Sequence, residues 1–213
     1  MISRFNANCD CGRQAVGDIV GSAYLLGGRL VNIVDAWKCS CCGELHSGMP
    51  GYSFAAPWPW QTTPESERGN SVLTEGHCIL RGEDYFIRGC IEIPVTGQND
   101  PFIWGSWVSL SRDNFNREQS LRNDPRRTEE PAYVGCLSSR IQVYPDTLLL
   151  KARVHLRKVG TAPSIELQPT DHPLAVEQRT GISLDRVREI FERMEHRWLH
   201  PEWDSKGLYG RAE

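Results

Sequence analysis

Cys39-Ser-Cys-Cys42-Gly43 spaces two thiols as Cys-x-x-Cys with glycine directly after the second. In such a tight turn two thiolates aim at one ion, and glycine accepts the backbone angles that the turn requires. Cys9-Asp-Cys11-Gly12 offers a shorter turn of the same kind, and the two pairs flank residues 19–37 as the knuckles of a zinc ribbon would. The spacing is irregular, with one residue between Cys9 and Cys11 and 27 between the pairs. A second scheme keeps Cys39 and Cys42 and completes the site with His46 and Cys78. Zn2+ suits soft thiolates in a closed tetrahedron, and four protein ligands leave no position for water, so either site is structural and not catalytic. The competing reading is that these are ordinary buried or redox-active thiols. Cys41, between the ligands, is the expected free thiol. Cys90 and Cys136 lie in apolar runs and are read as core residues. His77, His196 and His200 carry no pattern of their own and are read as surface or core-edge residues.

Acid–base chemistry has one candidate constellation. Asp171-His172-Pro173, with Glu177 beyond it, puts two carboxylates and an imidazole near one helix start. Capping explains the same residues with less: Asp171 serves as the cap of a helix begun by Pro173, and Glu177 is solvated or paired with Arg179. Arg88, beside Gly89, and the pair Trp104 and Trp107 are candidates for a binding surface, since Trp and Arg are enriched in hot spots. Three positions apart on a strand, the two indoles face opposite sides, so at least one belongs to the core. Lys151, Arg153, His155, Arg157 and Lys158 form a basic stripe, read as a solvated sheet face. There is no nucleophile elbow, phosphate loop, dinucleotide fingerprint or paired metalloprotease histidines.

The elements that must position these groups follow from periodicity and turn residues. Apolar runs on either side of Gly27-Gly28 predict a hairpin within residues 1–46. Residues 49–71, broken by Pro57, Pro59 and Pro64, read as an ordered loop packed by Trp58 and Trp60. β-rich runs at 85–95 and 102–111 flank a turn at 96–100. Ser111 caps a helix to about residue 121, and further strands are predicted at 133–137, 147–157 and 165–167. Leu184, Val187, Ile190, Phe191, Met194 and Trp198 mark one stripe of a last helix capped by Ser183. The fold class is α+β: a largely antiparallel sheet, a C-terminal amphipathic helix and an N-terminal zinc-stabilised hairpin module. The division expected is a zinc-ribbon-like module at 1–46, an α+β domain at 47–200 and a tail at 201–213.

Composition bounds the function. The 213 residues carry 24 basic and 27 acidic side chains, a net charge of -3, which gives no electrostatic footprint for nucleic acid. No apolar run has the length of a membrane span or the form of a secretory signal, so a cytoplasmic location is expected. There the eight cysteines read as metal ligands and buried thiols, not disulfides.

Four segments resemble one family: Cys-Ser-Cys-Cys-Gly-Glu-Leu-His at 39–46, Tyr-Phe-Ile-Arg-Gly at 85–89, Trp-Gly-Ser-Trp-Val-Ser-Leu-Ser at 104–111, and Pro-Thr-Asp-His-Pro-Leu-Ala-Val-Glu-Gln-Arg at 169–179. Over about residues 38–192 the chain is similar to the bacterial domain-of-unknown-function family numbered 2199. The resemblance implies a single bacterial domain with a Cys-x-x-Cys-Gly-x-x-His opening and a cysteine near Cys78, and no activity that can be named. It favours Cys39, Cys42, His46 and Cys78 as ligands. Residues 1–37, with the rival pair Cys9 and Cys11, precede the usual start of the family.

Two functions are therefore weighed. The first is a non-enzymatic interaction module with a protein partner, toxin-neutralising by analogy, held by structural zinc. The second is a small-molecule enzyme using Asp171, His172 and Glu177, with Arg88 holding an anion. A pocket joining those residues favours the enzyme, and an exposed Trp104 or Trp107 favours the binder.

Overall fold

The computed structural model describes residues 37–196 and, as backbone only, strands at 2–6, 25–26 and 29–30. In chain order the strands are β1 (Ile2–Asn6), β2 (Leu25–Leu26), β3 (Arg29–Leu30), β4 (Trp37–Lys38), β5 (Leu45–His46) and β6 (Pro50–Phe54). After the short helix α1 (Trp58–Thr62) come β7 (Val72–Leu73), β8 (His77–Leu80), β9 (Asp84–Ile93) and β10 (Phe102–Leu110). Helix α2 (Arg112–Ser120) leads to β11 (Tyr133–Leu137), β12 (Lys151–His155) and β13 (Ser164–Leu167), and α3 (Pro173–Thr180) and α4 (Leu184–Glu195) follow.

Two long strands organise the molecule. β9 and β10 pair antiparallel along their whole length, from Phe102 opposite Ile93 to Leu110 opposite Tyr85. Each is long enough to serve two partners on its outer edge. On β10 these are β6, parallel at residues 103–105, and β11, antiparallel at Val108 and Ser109. On β9 they are β8 and β13. From β11 the chain meanders through β12 and β13, and β13 returns to β9 in parallel at Ser164 and Cys90. β9 to β13 thus close into a five-stranded barrel, with β6 and β1 extending one edge and β8 and β7 the other. The mixed α+β class agrees with the sequence, and most strand pairs are antiparallel as expected, but the sheet closes into a barrel through a parallel seam and is not simply an antiparallel sheet. Strand twist brings the two free edges together, and an odd number of meandering strands can close only through a parallel pair.

Closure forces backbones into contact, and glycine marks the places. A Cβ on Gly89 would stand 2.7 Å from the carbonyl oxygen of Pro163, and one on Gly135 only 2.1 Å from that of Ser109. Gly135→Ala is therefore expected to cost about 1–3 kcal/mol through forced separation of β10 and β11, read as a lower denaturation midpoint.

The barrel strands explain the burial. On β12, Ala152 and Val154 point inward while Lys151 and Arg153 face solvent, the predicted alternation. β10 is instead covered on both faces, so Phe102, Trp104, Trp107 and Val108 all have 0% exposure. Trp104 packs among Tyr52, Phe102 and Tyr144. Trp107 donates its indole N–H to the Phe54 carbonyl at 2.8 Å. Neither indole offers a contact surface, which corrects the hot-spot reading of this pair: opposite faces of a strand are here both interior.

Several local expectations hold closely. Ser111 caps α2, its hydroxyl accepting from the Asn114 N–H at 3.2 Å, and Ser183 caps α4 in the same way. Leu25 pairs antiparallel with Leu30 and Leu26 with Arg29; the rest of the hairpin expected around Gly27-Gly28 lies outside the described residues. Two expectations change. The loop expected at 49–71 contains β6 and α1, with Arg140 and Arg68 lying over the rings of Trp58 and Trp60. The strand expected at 147–157 is shorter, because Leu149 has a φ of 63° and the buried Thr147 hydroxyl binds the Ile141 N–H and the Ser139 carbonyl.

Candidate metal centre

The hairpin of β4 and β5, with Trp37 opposite His46 and Lys38 opposite Leu45, carries the Cys-x-x-Cys turn at its tip. Within the turn the Cys39 N–H donates to the Glu44 carbonyl at 2.8 Å and the Gly43 N–H to the Cys39 carbonyl at 3.1 Å. Gly43 takes a φ of 74°, the left-handed conformation for which glycine is suited. The Cys41 N–H points back at the Cys39 sulfur, 3.4 Å away. Hairpin pairing brings His46 to the same side, with Nε2 3.4 Å from Cys42 Sγ.

The fourth group comes from the far end of the chain. His196 caps the C-terminus of α4, and its Nδ1 lies 3.4 Å from Cys39 Sγ. Ligand atoms of Cys39, Cys42, His46 and His196 all lie within 4.8 Å of one another, so the cluster could hold a metal ion. Zn–S bonds of about 2.3 Å and Zn–N bonds of about 2.0–2.1 Å set neighbouring atoms of a tetrahedron about 3.3–3.8 Å apart, close to the two 3.4 Å separations. One turn before His196, Glu192 accepts from the Ser40 N–H at 3.0 Å and from its hydroxyl at 2.6 Å. A second, smaller group of Cys39, Cys41 and Glu192 shares the Cys39 sulfur. Trp37, His46, His196 and Phe191 pack ring against ring around the site.

Without a cation the thiols of Cys41 and Cys42 favour their neutral form. At Cys42 a backbone hydrogen bond from Glu44 favours the thiolate, but desolvation and neighbouring Cys39 outweigh it and hold the thiol above its ordinary value. Desolvation, then the Glu192 carboxylate, raises Cys41. A divalent ion reverses this by binding the thiolates outright.

Of the ligands considered from sequence, Cys39, Cys42 and His46 converge. Cys78 does not join them; it sits in β8 opposite Phe86, fully buried, and burial pushes its thiol up to about 12. Cys9 and Cys11 lie outside the described residues. Cys90 is buried and Cys136 half-buried. His196 takes the fourth place, a role hidden from spacing because its partners are more than a hundred positions upstream. The only trace in sequence is Glu192-x-x-x-His196, one turn of helix aimed in one direction.

The acid–base constellation is dispersed. His172, not Asp171, caps α3, with Nδ1 accepting from the Leu174 N–H at 3.2 Å and Nε2 3.4 Å from the Pro145 carbonyl. Glu177 turns away to accept from the Tyr144 hydroxyl and from Arg186 Nε, the latter at 2.8 Å. Burial and this carboxylate push the Tyr144 phenol far up. Asp171 is exposed, and among the described residues no hydrogen bond joins it to His172 or Glu177. Arg88 lies half-buried on β9, its N–H donating to the Gly76 carbonyl. The basic stripe is met by acids: His155 pairs with Glu166 at 2.8 Å and Arg157 grips Glu92 with two bonds of 2.6 Å. Among the described residues no helix is long and apolar enough to cross a membrane.

Fold and site together define a small α+β barrel protein with a Cys/His cluster joining an N-terminal hairpin to the last helix. Residues 38–182 match the family model described as "Uncharacterized protein conserved in bacteria (DUF2199)", and the chain belongs to that family. No curated protein and no solved structure matches it.

Proposed function

We propose that Cys39, Cys42, His46 and His196 hold one structural Zn2+ and that the domain is an interaction module for a protein partner. The mutual approach of four soft ligand atoms to within 4.8 Å carries this reading. Two thiolates and two imidazoles balance the ion's charge and fill its tetrahedron, leaving no open position for catalysis. Leu45, 73% exposed beside His46, gives the metal-held hairpin an apolar contact for a partner. The dispersal of Asp171, His172 and Glu177 supports a binder over the small-molecule enzyme, and thiolate ligands suit the reducing cytosol.

Elemental analysis of the chain purified without added metal tests the site. About one zinc per chain is expected, reduced by Cys39→Ser, His46→Ala or His196→Ala and retained in Cys78→Ala. Wild-type protein without stoichiometric zinc refutes the reading; loss in Cys78→Ala but not in His196→Ala moves the fourth ligand to Cys78.

A further inference from the structure

We propose that the metal is a clasp: its occupancy decides whether the C-terminal half of α4 is docked on the hairpin, while the barrel stays folded in either state. This rests on the zinc reading above and adds regulation to it. β4 and β5 contribute two residues each, far below what a hairpin needs to persist alone. The two halves of α4 are held differently. Its first half is fixed to the body by the Arg186 bond to Glu177 at 2.8 Å and by burial of Val187 and Ile190. Its second half turns to the hairpin through Phe191 against Trp37 and His46, Glu192 on Ser40, and His196 beside Cys39.

Without an ion, this half is held by burial of Phe191 at 2% exposure, by the exposed bonds from Ser40 to Glu192 and by ring contacts, each of the last two a modest contribution in water. The Cys39 thiol reaches the Glu192 carboxylate only at 3.8 Å, a long contact that adds little to the docking of this half. With the ion, metal–ligand bonds tie residues 39, 42 and 46 to residue 196. Three ligands fall within the family-matched residues 38–182, whereas His196 and all of α4 lie beyond them. The clasp therefore fastens the helix that follows the matched span onto the hairpin that begins it.

Hydrogen exchange of the full chain, zinc-loaded and after chelation, with zinc measured on the same samples, decides the proposal. Backbone amides at 37–46 and 190–196 are expected to exchange about tenfold or more faster without zinc, while those of β9 and β10 are unchanged, and added zinc restores protection. His196→Ala with added zinc should match the chelated wild-type protein at 190–196. Equal exchange at 190–196 with and without bound zinc overturns the clasp and leaves the zinc reading standing. Faster exchange throughout β9 and β10 overturns it differently, by making the metal a support of the whole fold. A wild-type chain that binds no zinc removes the reading beneath and the clasp with it.

Discussion

Glu118→Ala is expected to lower the unfolding free energy by about 3–5 kcal/mol, because it leaves buried positive charge without its partner. Glu118, on α2 with 4% side-chain exposure, bonds His77 Nε2 at 2.8 Å and Arg127 at 3.1 Å, the latter only 6% exposed. Gln119 donates to the same carboxylate. These contacts bind α2 and the 3-10 turn Pro125–Glu129 to β8. Glu118→Gln keeps the shape and part of the bonding, so its loss should be smaller, and urea melts of both variants check the order. Burial alone would raise this carboxyl's pKa, but the His77 and Arg127 contacts outweigh burial and hold it below the ordinary 4.5. A lowered folded-state pKa means the stabilisation is present above about 4.5 and is lost as pH falls through the folded value. Wild-type stability should therefore decline below pH 4.5 more steeply than that of Glu118→Gln. Cys78 has the opposite sign: its thiol moves up to about 12 from 9.0, so its contribution is complete below pH 9 and is lost as pH rises toward 12.

Trp104→Ala is expected to cost about 3–5 kcal/mol, the range for deleting a large buried aromatic ring. The indole is fully buried, 5.4 Å from Tyr52, 5.1 Å from Phe102 and 6.2 Å from Tyr144 by ring centroids. Behind it stand the Tyr144 bond to Glu177 and the Arg186 bond to Glu177, so the cavity would also loosen the link from barrel to α4. A conservative Trp104→Phe should retain much of the stability. Thermal unfolding separates this from a surface role, under which alanine would leave the midpoint nearly unchanged and affect only partner binding.

What the sequence made legible was local. The strand at 133–137 and the serine caps before α2 and α4 need only neighbouring residues, and each was visible as a pattern of burial or a hydroxyl before an apolar stripe. Non-local geometry was hidden. Nothing in residues 164–167 announces parallel pairing with β9, so barrel closure could not be read. The Cys/His cluster was legible as far as its own hairpin reaches: Cys39, Cys42 and His46 sit within eight residues, whereas His196 arrives through the tertiary path of α4. Cys78 was drawn toward the site as the thiol that starts the next β segment and by family resemblance, yet its strand turns the thiol into the apolar core. Trp104 and Trp107 misled for a related reason: a strand buried on both faces has no outer side for either ring.

The parallel seam at Ser164 and Cys90 has a consequence for how the chain reaches this state. Sequence-distant contacts slow folding, since the entropy of closing the intervening segment is lost before the contacts reward it. During synthesis β9 and β10 can zip as a hairpin early, but the barrel must wait for residues 164–167, and Cys39, Cys42 and His46 must wait longer still for His196. Until residues 164–167 emerge, the edge of β9 at Cys90 is an open template for pairing. The slowest event in assembly is thus expected to be docking of the chain's late segments, with His196 reaching Cys39 as its final step.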